Sequence, residues 1–388
     1  RRQTRELIES VWSDMIEAIA EARGLDPVVV NSLVETEGFF RGSRAVDAGL
    51  ADAVMYKDEV IEFLVERGKP TKNGRTFVQV GLLDYIEDGE NRIKRAIDPD
   101  NEIAVVYAEG VILAGGGGDT TVGGDTLSRE LRRLRKDPDV KAVVLRVNTP
   151  GGSALGSEKI LREIDLLRES GRPVIVSMGT IATSGGYWIS AAADRIFAQP
   201  TTITGSIGVF LMLINYAGAA DWLGVRFDEV KTGPYATIFS PARPKTDEEM
   251  AIFQSYADFI YDAFLERVAE GRDLARGEVE SVARGRVWVG SDALENGLVD
   301  AIGGLNAAIE YTVKEVGVGA DYQIVEYPKK RNWDDFFSGP NGDNASAGSP
   351  VRHPVDDAID RFRDGTARLR EFDDPRGVYA RLPFDLKL

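Results

Sequence analysis

Thr180-Ile181-Ala182-Thr183-Ser184-Gly185-Gly186-Tyr187-Trp188 joins a short apolar run, Pro173 to Met178, to a segment of helical character, Gly185 to Ala192. The apolar run reads as a buried strand, which puts Ser184 at a strand-to-helix junction. Two glycines after the serine let the backbone turn sharply and approach a ligand closely. The helix that follows points its first free N–H groups, and the positive end of its dipole, towards whatever the hydroxyl faces. A nucleophile is presented in this way at a strand–turn–helix elbow. A serine in this position is also a common helix N-cap, and these residues alone leave both readings open.

Outward from this junction, strands alternate with helices. Ile103 to Tyr107, Lys141 to Val147 and Arg195 to Ala198 read as strands, and Thr126 to Lys136 and Ser157 to Ser170 as helices. Such alternation predicts an α/β fold, a parallel sheet covered on both faces. Arg146-Val147-Asn148-Thr149-Pro150-Gly151-Gly152-Ser153 ends the strand before the one that carries Ser184. It contains a Pro-Gly turn. Gly151 and Gly152 can also aim backbone N–H groups into a cleft at the carboxyl ends of the strands, where open α/β sheets hold ligands. A serine and glycine amides meeting there would form an oxyanion hole, with the Gly185 N–H as a further donor. A third run, Thr201-Thr202-Ile203-Thr204-Gly205-Ser206-Ile207-Gly208-Val209, is either a tight turn or a further wall of that cleft, with Ser206 placed to hydrogen-bond a catalytic base. The apolar stretch Val209 to Ile214 fits a buried strand, a chain–chain contact or a substrate pocket.

Composition narrows the chemistry. The 388 residues suffice for two domains, and a net charge of −16 argues against nucleic acid as a partner. Zero cysteines exclude disulfides, thiolate metal sites and cysteine nucleophiles. The single histidine, His353, lies in a polar stretch bracketed by Pro350 and Pro354 that reads as linker, so neither a Ser-His-Asp triad nor a histidine metal site is expected. No cofactor is expected. No window is long and apolar enough to span a bilayer.

Self-comparison shows a repeat. Helices over Arg5 to Arg23 and Pro27 to Glu35, a strand near Phe39 and the run Ser43 to Ala53 match a later series. That series is Glu248 to Glu270, Arg276 to Ala283, Arg286 to Val289 and Ser291 to Ala301, with Gly49-Leu50 aligned on Gly297-Leu298. Both series run on into a helix, Asp58 to Arg67 and Leu305 to Val316. About 145 residues of α/β sequence precede the second copy, and nothing precedes the first, so the first copy is expected to lack its front half. The expected domains are 1–69, the C-terminal half of the first copy; 70–100, a connector with one strand, Phe77 to Leu82; and 101–327, the complete second copy. Residues 328–388 read as a polar, flexible tail with one charged helix, Asp357 to Arg370, and no chemistry.

These three ordered motifs, with the duplication, resemble the S49 serine peptidases in their long, two-copy, signal peptide peptidase form, over roughly Arg1 to Tyr327. The resemblance implies a Clp protease/crotonase-like βα superhelical fold, tandem duplicated, with Ser184 as nucleophile. It implies an oxyanion hole from Gly185 and the Pro150-Gly151-Gly152 turn, and Ser206 orienting the base. The base is a lysine in that family, which requires a pKa brought down from ~10.4 towards neutrality by burial. Short-form relatives carry it in a Gly-Lys-Tyr-Lys run; here the run is Gly233-Pro234-Tyr235-Ala236, so Ala236 stands where the amine would be. In long forms it comes from the first copy, and the repeat offset places it upstream of Arg1. Lys231 and Lys245 are nearer stand-ins, but their polar neighbours read as solvated. The resemblance further implies apolar peptide substrates such as cleaved signal peptides, a homotetramer, and a cell-envelope location outside the cytoplasm with membrane association through preceding polypeptide. The alternatives are a crotonase-like acyl-coenzyme A enzyme and a non-catalytic envelope scaffold of the same fold.

Overall fold

The computed structural model describes residues 2–37, 40–71, 76–81, 101–118, 120–231, 233–328 and 378–381. It divides into two compact units, Arg1–Asp98 and Pro99–Leu388. The first unit contains α1 (Arg2–Arg23), α2 (Pro27–Glu37), α3 (Gly42–Asp47) and α4 (Lys57–Arg67). Ile16 and Ala20, one helical turn apart on α1, bury against Val30 of α2 and Leu25, as the amphipathic spacing requires. The expected strand over Phe77 to Leu82 is reduced to a single bridge from Phe77 to Pro70, with Val78 to Val80 outside any strand. Leu82, the expected strand at Phe39 and the helix Asp357 to Arg370 lie outside the described residues.

The second unit runs β1 (Glu102–Glu109), β2 (Val111–Leu113), β3 (Thr121–Gly123), α5 (Gly124–Lys136), β4 (Val140–Thr149), β5 (Gly151–Ser153), α6 (Ala154–Glu169), β6 (Val174–Thr183) and α7 (Gly185–Ala191). There follow β7 (Arg195–Ala198), β8 (Ile203–Gly205), β9 (Phe210–Leu211), α8 (Ala217–Trp222), α9 (Asp247–Arg272), α10 (Arg276–Val282), β10 (Val287–Val289), α11 (Gly290–Glu295), β11 (Ala301–Ile302), α12 (Leu305–Val316), β12 (Gln323–Tyr327) and β13 (Val378–Arg381). The larger sheet is eight-stranded in the order β10-β8-β6-β4-β1-β12, with β7 on β6 and β11 on β7; only the β10–β8 pair is antiparallel. A mostly parallel sheet between helices is the α/β architecture that the alternation predicts.

Period-two alternation explains the two cores. Val143, Leu145 and Val147 of β4, with Val174, Val176 and Met178 of β6, face α5, α6, α7 and α9 through Leu131, Ile160, Ile164, Ile189 and Phe264. Their neighbours Ala142, Val144 and Ile175 face the opposite way, against Ala308 of α12. Full burial of each branched aliphatic side chain is worth about 1.5–3 kcal/mol. Both faces are therefore apolar, and the sheet accepts no slip by one residue.

The repeated sequence carries a repeated contact. In the first unit the Arg23 guanidinium donates to the Gly49 carbonyl at 2.7 Å and forks onto Asp52. In the second, Arg272 donates to the Gly297 carbonyl at 3.2 Å and pairs with Asp300. Gly49 and Gly297 adopt φ values of 74° and 73°, the left-handed turn that favours glycine.

The 328–388 segment departs from a wholly flexible tail. Its residues 378–381 form β13, inserted in a second, five-stranded sheet of order β3-β2-β5-β13-β9. Among the described residues no helix is long and apolar enough to cross a membrane.

The long helix α9 starts on a charged cap. Thr246 Oγ1 accepts from the Glu249 N–H at 3.2 Å, the Glu249 carboxylate accepts from the Thr246 N–H at 3.0 Å, and Arg243 grips the same carboxylate at 2.7 and 2.6 Å. The Arg243 guanidinium, and after it the Thr246 N–H, hold the Glu249 carboxyl at about 2, against an ordinary 4.5. A folded-state pKa below the unfolded one stabilises the fold above the unfolded value, and that stabilisation is lost as pH falls through the folded value. The gap in thermal midpoint between the native protein and Glu249→Gln should therefore be widest near neutrality and close between pH 4.5 and 2. A gap that stays constant over that window in a pH series of melting curves would show that this carboxylate does not couple to folding.

Candidate active site

The site is assembled by an irregularity between two parallel strands. β4 and β6 pair in register from Val143–Val174 to Val147–Met178, and pairing resumes at Thr149–Ala182, so β6 carries two extra residues, Gly179 and Thr180, across the gap. Asn148 fills the break, its Oδ1 accepting from the Ile181 N–H at 3.2 Å, and a Cβ at Gly179 would meet that oxygen at 2.7 Å. Arg146 ties the same strands by donating to Ser177 Oγ at 2.9 Å and the Met178 carbonyl at 2.7 Å. Before the gap β6 pairs with β7, and after it with β8 through Ile181–Ile203 and Thr183–Gly205. The strand thus changes partners and delivers Ser184 beside the turn that ends β4. Thr202 and Thr204 hold this second half of β6 through hydroxyls donated to the Gly179 and Ala182 carbonyls, both at 2.8 Å.

Ser184 occupies the N-cap position of α7 with φ 55° and ψ −114°. A non-glycine residue in this region bears backbone strain of about 1–3 kcal/mol and persists only where its surroundings over-determine it. Here its N–H donates to the Gly205 carbonyl at 2.7 Å and its own carbonyl accepts from the Trp188 N–H at 2.8 Å. Its hydroxyl makes no capping bond; it donates only weakly, at 3.4 Å, to the Gly208 carbonyl. Ser153 shows what a capping serine does, accepting from the Gly156 N–H at 3.1 Å to start α6. The N-cap reading therefore fails for Ser184, whose side chain is left for other chemistry. Because α7 has only seven residues, the local N–H of Gly185, which the helix cannot satisfy, matters more than a long helix dipole.

The glycine turn lies alongside. A Cβ at Gly186 would stand 2.6 Å from Thr149 Cγ2 and 3.1 Å from the Thr149 carbonyl, so only glycine lets the serine loop close on the turn. Gly151 and Gly152 take φ values of 96° and 158°. The Gly151 N–H donates to Thr149 Oγ1 at 3.0 Å, which removes it from the free donors expected of the turn. Gly152 sits between Ile112 of β2 and Ala380 of β13. Ser206, with φ 50°, is buried and donates its N–H to the Arg286 carbonyl at 2.7 Å. Thr183 Oγ1, one residue before the nucleophile candidate, is buried and unpartnered among the described residues.

The nearer lysines point elsewhere. Lys231 pairs with Glu229 at 3.2 Å, and Lys245 donates to the Ser240 carbonyl at 2.6 Å, its pKa lowered by burial. Ala236 is exposed on a turn. Of the Val209 to Ile214 run, only Phe210–Leu211 forms strand, half-buried, and Ile214 is exposed, so the run is not a fully buried strand. Sequence reasoning passed over Arg146, Asn148, Thr202 and Thr204, the side chains that hold the elbow in place. One helical turn past Ser184, Trp188 lines a cavity of about 560 Å³ with Ala154, Leu155, Phe259, Ile260 and Ala263.

Residues 167–319 match the model of peptidase family S49. The chain is 38% identical over 341 residues to Protease 4 of Haemophilus influenzae, covering 84% of this chain and 54% of that protein. It is 37% identical over 198 residues to a protein of Enterococcus faecium named as a signal peptide peptidase, covering 51% of this chain and 57% of that one. A Synechocystis sp. protein named as a protease, slr0021, is 37% identical over 191 residues, covering 48% of this chain and 69% of that one. The chain spans about half the length of the first curated relatives it matches. On the strained serine beside its glycine turn and on these likenesses together, the chain belongs to the S49 family of serine peptidases.

Proposed function

We propose that the protein hydrolyses peptides with Ser184 as nucleophile. The observation that carries this reading is the strained, uncapped serine, at φ 55° and ψ −114°, set against the β4–β5 turn. In the proposed step Ser184 Oγ attacks the scissile carbonyl while its proton passes to a base, and the Gly185 and Gly152 N–H groups receive the negative charge on the carbonyl oxygen. Gly151 shapes the turn, and its own N–H joins the hole only if Thr149 Oγ1 releases it. Removing one such donor typically costs about 3 kcal/mol of transition-state stabilisation. The proton acceptor we infer is a lysine amine supplied from outside the described residues, and Ser206 orients it. The unpartnered hydroxyl of Thr183 supports this, since buried polar groups normally find partners, and one beside the proposed nucleophile suits a further polar group.

Apolar peptides, including cleaved signal peptides, are the proposed substrates; the aromatic and aliphatic wall around Trp188 supports an apolar side chain next to the scissile bond. We further infer a Clp protease/crotonase-like, tandem-duplicated fold, supported by the Arg23–Gly49 and Arg272–Gly297 contacts. Assembly as a homotetramer at the cell envelope belongs to the same reading.

A fluorophosphonate reagent should label the protein as its cell makes it at one residue, and Ser184→Ala should abolish the label while Lys231→Ala and Lys245→Ala retain it. Label that survives in Ser184→Ala would remove this serine from the role. Gly186→Val, whose added carbons meet Thr149, should lower the melting midpoint, by an overpacking cost of about 1–3 kcal/mol, and suppress labelling although Ser184 is intact. Normal labelling of that variant would show that the elbow tolerates separation from the turn.

A further inference from the structure

Glu158 joins three helices at the place where the site is built. It lies on α6, one residue after Ser157, whose hydroxyl donates to the Ser153 carbonyl at 3.0 Å and so fastens the helix to the end of the glycine turn. The Glu158 carboxylate reaches the other way. Its Oε2 accepts from the Trp188 indole N–H of α7 at 3.0 Å, and its Oε1 accepts from the Arg267 guanidinium of α9 at 2.8 Å. Trp188 in turn meets the elbow through its main chain, its N–H donating to the Ser184 carbonyl at 2.8 Å. A single carboxylate therefore connects the helix that begins at the glycine turn to the residue that bonds the strained serine.

The two bonds on this carboxylate differ in what they contribute. The Glu158 and Arg267 side chains are 42% and 40% exposed, and an ion pair that open to water adds little to stability. The Trp188 ring is 2% exposed and lies 4.4 Å, centroid to centroid, from Phe264 of α9. A buried indole N–H needs an acceptor, and a charged acceptor bonds it more strongly than a neutral one. Arg267 takes the second oxygen of the carboxylate and thereby fixes the direction from which the first meets the indole. The apolar contacts that pack α7 against α6 and α9 are non-directional and do not set the rotation of so short a helix. The indole bond does, and Ser184 is one helical turn from it.

Resting on the peptidase reading above, we propose that Glu158 is a positioning residue for the reaction. Through Trp188 it sets where the Ser184 hydroxyl stands relative to the glycine turn, and Arg267 keeps its carboxylate in that orientation. Glu158 touches neither substrate nor reacting atoms. Misplacing reacting groups by about 1 Å can cost about a hundredfold in rate, so an acceptor two links from the nucleophile is close enough to govern turnover. Glutamine at this position keeps an oxygen for the indole; alanine keeps none.

Fluorophosphonate labelling of the protein as its cell makes it, read beside the resonances of isotope-labelled tryptophan and glycine, tests this. Glu158→Ala should slow the maximal labelling rate at Ser184 by about ten- to a hundredfold with the half-saturating reagent concentration unchanged, and Glu158→Gln should restore most of the rate. The Trp188 indole resonance, identified by its loss in Trp188→Phe, and the Gly185 amide resonance should shift together in Glu158→Ala and return together in Glu158→Gln. Leu134→Ala, a cut in the fully buried core of α5, should lower the melting midpoint at least as far as Glu158→Ala and still label at the native rate. Native labelling in Glu158→Ala would overturn the proposal. So would equally slow labelling in Leu134→Ala, which would make the loss one of stability alone, or in Glu158→Gln, which would make the ion pair rather than the indole bond its cause. Resonances that move and return as expected, in a protein whose native form never labels at Ser184, would uphold Glu158 as what places the elbow and sink the serine peptidase reading instead.

Discussion

The site depends on the two-residue offset between β4 and β6. Parallel strands that stayed in register would carry the β4 turn and the β6 elbow past each other; the extra Gly179 and Thr180 let β6 bend from β7 onto β8 and bring Ser184 back to the turn. Such a break leaves backbone groups unpaired inside a sheet, at a cost of about 1–3 kcal/mol each if they are buried. The chain meets that cost with side chains that imitate backbone: Asn148 accepts from Ile181, and Thr202 and Thr204 donate to the Gly179 and Ala182 carbonyls. Arg146 crosses the same seam, so the seam is bonded from both sides. Rigidity here is what allows Ser184 to remain in a conformation that a free serine would leave.

Much of this was legible because it is local. A run of apolar residues ending in Ser-Gly-Gly, the Pro-Gly-Gly turn one strand earlier and the alternation of strands and helices each need only a short window. The structure extends them without moving them: β4 runs to Thr149 and β6 to Thr183, so the elbow is sharper than the strand ending at Met178 implied. The threonines of the 201–209 run were visible as turn formers, but their bonds to β6 were not, since Thr202 and Gly179 are twenty-three positions apart. The bond made by the Gly151 amide was hidden for a subtler reason. Glycine opens the turn to a ligand, and the adjacent Thr149 hydroxyl reaches the amide first. β13 was the hardest element to see. Four residues without a strong alternating pattern carry almost no strand signal, and their partners lie more than 160 positions away in the sequence.

The strained serine and the seated strand bear on one another. A strained, exposed hydroxyl beside free amides would be open to any passing acyl group and to water. In the structure Ser184 is fully buried, and β13 lies beside its glycine turn, paired along two short edges of two and three residues and packed against α6 and α7. The elbow, by contrast, is fixed by buried hydrogen bonds and by glycines whose replacement would meet neighbouring atoms at 2.6–2.7 Å. The elbow is thus bonded across its seam by several side chains, whereas β13 joins its neighbouring strands through two short ladders.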